Sequence, residues 1–173
     1  DEAIRHVKVR GEVISADSQT DDQTDSQTNN ISGTVLDITE RVDAERELQK
    51  LFQAFENSPI SIITTDLQGR IEYVNPCFTQ TTGYEPKDVV GLNPNILKTG
   101  YTSAAEYKEM WETIRAGQVW RGEFRNQHKN GDLYWARSTI APVWDERGKL
   151  VNYLGLSQDI SFEKEIEEKL SKE

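Results

Sequence analysis

The sequence of 173 residues has little of what builds disulfides, metal sites or membrane spans. Its single cysteine, Cys77, excludes a disulfide within the chain, and we interpret it as a small buried hydrophobe. Only two histidines are present, and neither has carboxylates at ligand spacing, so no metal site is predicted. No apolar run approaches the roughly 18 residues of a membrane span, and no secretion signal opens the chain. We therefore expect no direct membrane contact and a cytoplasmic location, although a longer parent protein could still be anchored.

Basic residues are also scarce and are not grouped. Against 30 acidic residues there are 20 Lys and Arg, which gives a net charge of -10. Binding to nucleic acid needs clustered cations, so that class of function is excluded. Phosphate loops, Gly-x-Ser-x-Gly and HExxH motifs are missing too, and carboxylate pairs such as Asp145 and Glu146 fall in turns. These patterns predict no catalytic residue and favour a binding module over an enzyme.

A polar tract at residues 17–30 contains no apolar residue, Lys or Arg. Such a tract cannot bury enough surface to offset its ordering entropy, so it predicts a disordered loop. A calcium loop is the alternative, but the glycine and closing glutamate of an EF-hand are missing. Strand-like stretches at Val7–Ile14 and Ile31–Leu36 flank the tract and predict a hairpin.

An internal repeat follows the hairpin. The segment 33–40, which contains Asp37 and Thr39, recurs as the segment 155–162, which contains Asp159 and Ser161. Each copy reads as a strand, an Asp-Ile-Thr/Ser junction and a charged helix that either polar residue can cap. The repeat predicts domain duplication, with this chain cut from a longer protein. We expect the last strands of a preceding domain at 1–40, a linker helix at 41–57, a whole domain at 58–160 and an exit helix at 161–173.

Both predicted linker helices carry an apolar seam. The entry helix places Ala44, Leu48, Leu51 and Phe55 at heptad steps, and the exit helix places Phe162, Ile166 and Leu170 on one stripe. Each helix could lie on its own domain, or pair with a second copy in a parallel coiled coil. Seams on both linkers favour the second interpretation, and so predict a homodimer.

The whole domain has dense local signals. Strands are expected at 60–65 and 70–74, then short helices opened by Asn75-Pro76, then a stronger helix from its Ser103 cap to Arg115. Three more strands follow at 120–126, 133–143 and 150–158. The order is two strands, several short helices, one longer helix and three strands, which indicates an α+β domain.

The motifs in this order resemble those of PAS domains. They are Asp66-x-x-Gly69, Asn75-Pro76-x-Phe78, Thr82-Gly83-Tyr84, Gly91, Lys129-x-Gly131, Pro142-Val143-x-Asp145-x-x-Gly148 and Asp159-Ile160-Ser161. The resemblance implies a PAS fold: a five-stranded antiparallel sheet with short helices on one face and flanking linker helices. It also implies a sensory module of a bacterial signalling protein. Such a module relays the state of its cleft through Asp159, Ile160 and Ser161 to its own output domain, such as a histidine kinase or a cyclic-dinucleotide enzyme.

Within that family the chain is similar to the flavin-binding, redox-sensing PAS domains of nitrogen-fixation and methane-oxidation regulators. The shared residues include Asn93, Met110-Trp111, Trp120-x-Gly122-Glu123, Asn126, Tyr134 and Pro142. This likeness implies FAD as the cofactor and Asn93, Trp111, Asn126 and Tyr134 as cofactor-binding residues. The residues alone also allow Trp111 to be core on a helix face, and Asn126 to be a strand amide bonded to a neighbouring turn.

Departures from these relatives leave the ligand unknown. Pro94 and Ile63 stand where the nitrogen-fixation regulator has a carboxylate and a hydroxyl. Pro94 also replaces the flavin-bonding cysteine of the light-oxygen-voltage branch, which excludes its photochemistry. Asn95 replaces that branch's phosphate-binding arginine, and Ser157 its glutamine. Haem is disfavoured because the helix 103–115 has no histidine. The competing hypothesis is a ligand-free dimerisation and spacer module.

Overall fold

A computed structural model describes residue 5, residues 7–14 and residues 30–172. The chain divides into two compact units, Asp1–Phe52 and Gln53–Glu173. Of the predicted disordered tract at 17–30, only Asn30 is described, and it is the first residue of a strand. The rest of that tract lies outside the described residues, so its disorder stays a prediction.

The first unit contains the predicted hairpin. Strand β1 (Val7–Ile14) pairs antiparallel with strand β2 (Asn30–Asp37), and Val7 lies opposite Asp37. Helix α1 (Thr39–Glu56) follows at once. Its start is held by Asp37, whose Oδ1 accepts hydrogen bonds from the backbone amide of Thr39 over 2.9 Å and from its hydroxyl over 2.6 Å. The aspartate of the predicted junction therefore caps the helix.

The second unit is an α+β domain, and the predicted fold class is confirmed. Its five strands are antiparallel in the order β4-β3-β7-β6-β5. The elements along the chain are β3 (Ser61–Thr65), β4 (Ile71–Val74), α2 (Pro76–Thr82), α3 (Pro86–Val89), a 3-10 helix (Pro94–Leu97), α4 (Ala104–Arg115), β5 (Trp120–Gln127), β6 (Leu133–Trp144), β7 (Leu150–Asp159) and α5 (Ser161–Leu170).

Local side-chain bonds set the helix boundaries. Asn75 caps α2, since its Oδ1 accepts from the backbone amide of Phe78, and Pro76 supplies the first helical residue. Ser103 and Glu106 form a capping box at the start of α4. In the part of the chain that the structure describes, every helix is too short or too polar to cross a membrane.

The apolar core lies between the β4 edge of the sheet and the short helices. It consists of Ile71, Val74, Phe78, Val89 and Leu97. Asn75 sits beside this core with both ends of its amide engaged, because it also accepts from Ile62 and donates to the carbonyls of Phe55 and Ile60. This packing fixes the short helices on one face and leaves space under α4.

Candidate functional site

The floor of the candidate site is the inner face of strands β5, β6 and β7. Successive side chains of a strand point to opposite faces, so every second residue of these strands faces the helices. Asn126 is only 9% exposed on that face, while its neighbour Gln127 is exposed on the other. The inner residues at the site are Phe124, Asn126, Ser138, Ile140, Tyr153, Gly155 and Ser157.

The roof is built from the 3-10 helix and one face of α4. Together, floor and roof enclose a cavity of about 340 Å³. The roof residues are Asn93, Pro94, Asn95, Leu97, Lys98, Tyr107, Met110, Trp111 and Ile114. The wall is completed by Ile63 and Thr65 of β3 and by Gly69 of the turn that follows β3.

Three of the four residues predicted to bind a cofactor meet at this cavity. Asn93, Trp111 and Asn126 all line it, from three different elements. Tyr134 does not line it. It lies opposite Asn126 at the far end of the floor, where it is 5% exposed and stacks on His128 with ring centres 4.2 Å apart. As the β6 partner of Asn126 near the end of the β5–β6 ladder, it adjoins the site only through that residue.

The indole of Trp111 forms the wall nearest the β3–β4 turn. It meets Tyr153 edge to face at 6.0 Å, and the Arg115 guanidinium lies 5.0 Å from its centre. Gly69 packs so closely that an added Cβ would lie 2.7 Å from the indole and 2.8 Å from the Asn93 amide nitrogen. Trp111 is therefore a half-buried cavity wall held on several sides, rather than a fully buried core residue.

The two asparagines offer different groups to the cavity. The Oδ1 of Asn93 accepts from the backbone amide of Asn95 over 3.0 Å, which caps the 3-10 helix and leaves the amide nitrogen as donor. Burial raises the pKa of Tyr134 to about 12, a rise that its neighbour Asn126 opposes and the Asp159 carboxylate supports. Tyr134 is thus neutral beside the Asn126 amide at physiological pH.

The floor contains a pair of serine hydroxyls. From the sequence, Ser157 was named only as a departure from the light-oxygen-voltage branch, and both Ser138 and the pairing were missed. Ser138 and Ser157 lie directly opposite each other on β6 and β7, with their oxygens 2.6 Å apart. Ser138 is buried, and both residues line the cavity. The available signal was the alternation on β6, where the inner residues Ala136 and Ile140 are apolar and only Ser138 between them is polar. That Ser157 pairs with it follows only from the register between β6 and β7.

The positions that depart from the flavin-binding relatives are part of the cavity wall. Both Ile63 and Pro94 line it. Cys77 lies on α2 outside the lining, half-buried, with its sulfur 3.9 Å from the hydroxyl of Thr81. Cys77 was expected to be a buried hydrophobe, and the structure buries it only in part.

The predicted relay residues form a junction that is tied to β6. Asp159 Oδ1 accepts from the backbone amide of Ser161 over 2.9 Å, so it caps α5. The backbone of Trp135 bonds both following residues: its carbonyl accepts from Ile160 over 2.8 Å, and its amide donates to the Ser161 hydroxyl over 2.9 Å. Ile160 is completely buried. Of the two residues that the sequence left open as the cap of α5, the structure uses Asp159, while the Ser161 hydroxyl accepts from Trp135.

Beside the junction, four charged side chains connect α5 to the outer face of the sheet. We call Glu123, Arg137, Glu163 and Lys164 the charge clasp. Glu123 pairs with Lys164 at 2.8 Å and with Arg137 at 3.3 Å, and Arg137 pairs with Glu163 at 3.0 Å. The Lys164 ammonium, followed by the Arg137 guanidinium, holds the pKa of Glu123 below its usual value.

A second depression of about 500 Å³ lies at the end of α2. It is open to solvent and is lined by Gln80, Thr81, Thr82, Gly83, His128, Lys129, Asn130 and Asp132. None of the predicted cofactor-binding residues is among them. Its polar, open character makes it a surface groove, whereas the cavity under α4 is the better ligand site.

The fold agrees with comparisons to known proteins. A family model for the PAS domain matches residues 59–162. The chain belongs to the PAS family. A solved relative, the PAS domain of a protein from Colwellia psychrerythraea, superposes with a TM-score of 0.62 at 29% identity and covers 66% of this chain and 98% of its own.

Curated PAS relatives carry regulatory and sensory names. The chain is 36% identical over 119 residues to the nitrogen fixation regulatory protein of Klebsiella pneumoniae, covering 69% of this chain and 24% of that protein. It is 33% identical over 106 residues to the aerotaxis receptor of Escherichia coli, covering 58% and 21%. The chain therefore spans about a quarter of the length of these relatives. It carries a PAS sensory domain of the kind found in bacterial signalling proteins.

Proposed function

We propose that this PAS module binds a small planar ligand of the flavin type in the cavity under α4 and does no chemistry of its own on a substrate. The observation that carries the proposal is the convergence of Asn93, Trp111 and Asn126 on one cavity. An aromatic wall beside a few polar groups is the usual composition of a site for a flat heterocycle. The names of the regulatory relatives support a sensory role for the bound ligand.

The cavity suits a ring system better than a whole dinucleotide. Its 340 Å³ lies near the lower end of the range for ligand pockets, about 300–1,000 Å³. With FAD, the ring would occupy the cavity and the remainder would extend beyond it. Trp111 would offer the ring a flat apolar wall, while Asn126, Ser138 and Ser157 would bond its polar edge. A bound flavin would supply a redox change; the chain's part is to hold the ring and respond.

The response has a short route to the exit helix. Ser138 faces the cavity, and its chain neighbour Arg137 belongs to the charge clasp on the opposite face. A shift of β6 that follows a changed hydrogen bond at Ser138 would move Arg137 against Glu163 and Trp135 against Ser161. We propose that this coupling of cavity and α5 is the relay through Asp159, Ile160 and Ser161.

The exposed seams of the linker helices support a homodimer. Leu48 is 68% exposed on α1 and Phe162 is 74% exposed on α5. A parallel pairing of two copies would cover these side chains at heptad spacing. We propose that the dimer, in the cytoplasm, carries the signal to the chain's own output domain, such as a histidine kinase or a cyclic-dinucleotide enzyme. We also propose the β1–β2 hairpin as the end of a preceding PAS-like domain.

An absorption spectrum of gently purified protein tests the ligand. Flavin bands that remain with the protein through gel filtration support the proposal. The decisive variant is Asn126→Leu, which keeps the side-chain size and removes the amide, and its matched control is Gln127→Leu on the opposite face of β5. We expect the first to lose the flavin and the second to keep it. Colourless protein with no bound molecule in native mass spectrometry would instead support the ligand-free spacer module.

A further inference from the structure

The formal charge on the cavity wall is of one sign only. Among the residues that line the cavity, Lys98 alone carries a formal charge at neutral pH. The other polar groups of the wall are the neutral amides and hydroxyls of asparagine, serine, threonine and tyrosine. This single positive charge stands out in a chain whose net charge is -10.

The ammonium of Lys98 lies against the wall of the cavity. Lys98 follows the 3-10 helix directly, and its backbone forms an isolated bridge with Asn126. Its Nζ is 4.2 Å from the centre of the Tyr107 ring, which also lines the cavity and stacks on Phe124. A cation over an aromatic face is positioned without being neutralised.

Carboxylates do not compete for this ammonium. In residues 7–14 and 30–172, no carboxylate oxygen pairs with Lys98 within 4.0 Å, whereas Lys129 and Lys164 pair with Asp88 and Glu123. The β3–β4 turn at the cavity does carry Asp66, but Arg70 engages it at 2.6 Å. Lys98 is thus a positioned cation with open hydrogen-bonding capacity.

We infer that the ligand of this cavity is an anion, a planar ring that bears a phosphate or carboxylate group, and that Lys98 binds this group. The inference rests on the proposed function and adds the charge of the ligand to it. Charge-assisted hydrogen bonds are the strong ones, and no repulsive carboxylate lines the wall. Lys98 would therefore select among ligands that share a ring but differ in charge.

Three flavins with one ring test the inference: riboflavin, which is neutral, FMN, which bears a phosphate, and a carboxymethyl flavin, which bears a carboxylate. Each is titrated into ligand-free protein at low salt, with flavin fluorescence anisotropy as the readout. We expect about tenfold tighter binding for at least one of the anions than for riboflavin. Whether FMN or the carboxymethyl flavin gains more identifies the group. The preference should shrink in high salt, since an ion pair with the exposed Lys98 is screened.

Three variants assign that preference to Lys98. Lys98→Gln should bring FMN and the carboxymethyl flavin to the affinity of riboflavin, which itself should change little. Lys98→Arg should restore the preference. Lys149→Gln removes the same charge from the exposed β6–β7 turn and should change nothing.

The outcomes separate the two proposals. Equal binding of all three flavins to the wild type, or a preference that persists in Lys98→Gln, would overturn the inference while the ring site stands. Failure of all three to bind would overturn both the flavin proposal and the inference that rests on it.

Discussion

The hydroxyl of Ser161 accepts a hydrogen bond from the backbone amide of Trp135 over 2.9 Å. This bond and the one from Ile160 to the Trp135 carbonyl attach the start of α5 to β6. Trp135 lies three residues before the cavity residue Ser138 on the same strand. The two bonds therefore connect the start of the exit helix to a strand that forms part of the cavity floor.

We expect Ser161→Ala to loosen α5. The substitution leaves the part-buried Trp135 amide without its acceptor, which costs about 1–3 kcal/mol. Amide hydrogen exchange in α5 should therefore accelerate, with the rest of the domain unaffected. Ser171→Ala at the other end of α5 is the control. Unchanged exchange in Ser161→Ala would show that the bond does not hold the helix.

Alanine substitutions at Gly69 and at Gly148 form a matched pair. Both glycines have positive φ, 79° and 73°, so alanine carries a similar backbone cost of about 1–2 kcal/mol at each. Only at Gly69 would the new Cβ also press on Trp111 and Asn93, whereas nothing lies within 4 Å at Gly148.

We expect Gly69→Ala to lower the free energy of unfolding by about 1–3 kcal/mol more than Gly148→Ala, measured by urea denaturation. It should also shift Trp111 fluorescence, because the indole must move. Equal losses in the two variants would mean that the contact at the cavity wall relaxes freely.

Alkaline pH should destabilise the domain through Tyr134. Burial raises its pKa to about 12 in the folded chain, against about 10 when unfolded. The unfolded chain therefore loses this proton first, and stability falls as pH rises from about 10 to about 12. Tyr73 contributes to the same loss of stability at alkaline pH, because burial, followed by Glu56, raises its pKa to about 12.

The measurement is urea unfolding at pH of about 9 and about 11.5. We expect Tyr134→Phe to reduce the alkaline loss by about 2 kcal/mol. The exposed Tyr101, changed to Phe, is the control. If Tyr134→Phe loses as much unfolding free energy between these two pH values as the wild type does, the prediction is contradicted.

The seam of α1 is tested by Leu48→Glu. If two copies pair along Ala44, Leu48, Leu51 and Phe55, the variant places a charge in a closed apolar seam, at a cost of several kcal/mol. Dimer mass in light scattering should fall while the circular dichroism of the domain is unchanged. Gln49→Glu, off the seam, should leave the dimer intact. A dimer that persists in Leu48→Glu, or a wild type that is monomeric at every concentration, would exclude α1 as the contact.

The boundaries of the strands and of α1, α2 and α4 were predictable to within one or two residues because their signals are local, whereas α5 ends at Leu170, short of the predicted end at residue 173. Asn75-Pro76 starts α2, and the Ser103 capping box starts α4. The five-stranded sheet followed from the element order and the resemblance together, because strand order itself is set by contacts distant in sequence.

The site was only partly predictable. Trp111 and Asn126 were found through the resemblance, since neither a helix face nor an alternating strand distinguishes a cavity wall from core. Tyr134 and Asn126 lie on the same inner face, but Tyr134 lies beyond the cavity. Alternation along a strand predicts which face a side chain occupies, and it does not predict where on that face a cavity ends. The hydroxyl pair of Ser138 and Ser157 depends on the register between β6 and β7.

The two Asp-Ile-Thr/Ser junctions share one aspartate cap. Asp37 lies opposite Val7 just as Asp159 lies opposite Ala136, and each aspartate accepts the amide two residues on over 2.9 Å. In both copies the helix starts at that residue, Thr39 or Ser161. We therefore expect the two junctions to be interchangeable fusion points: a chain fused so that Ile38 follows Asp159 would begin its helix at the same phase, and the apolar seam would keep its register.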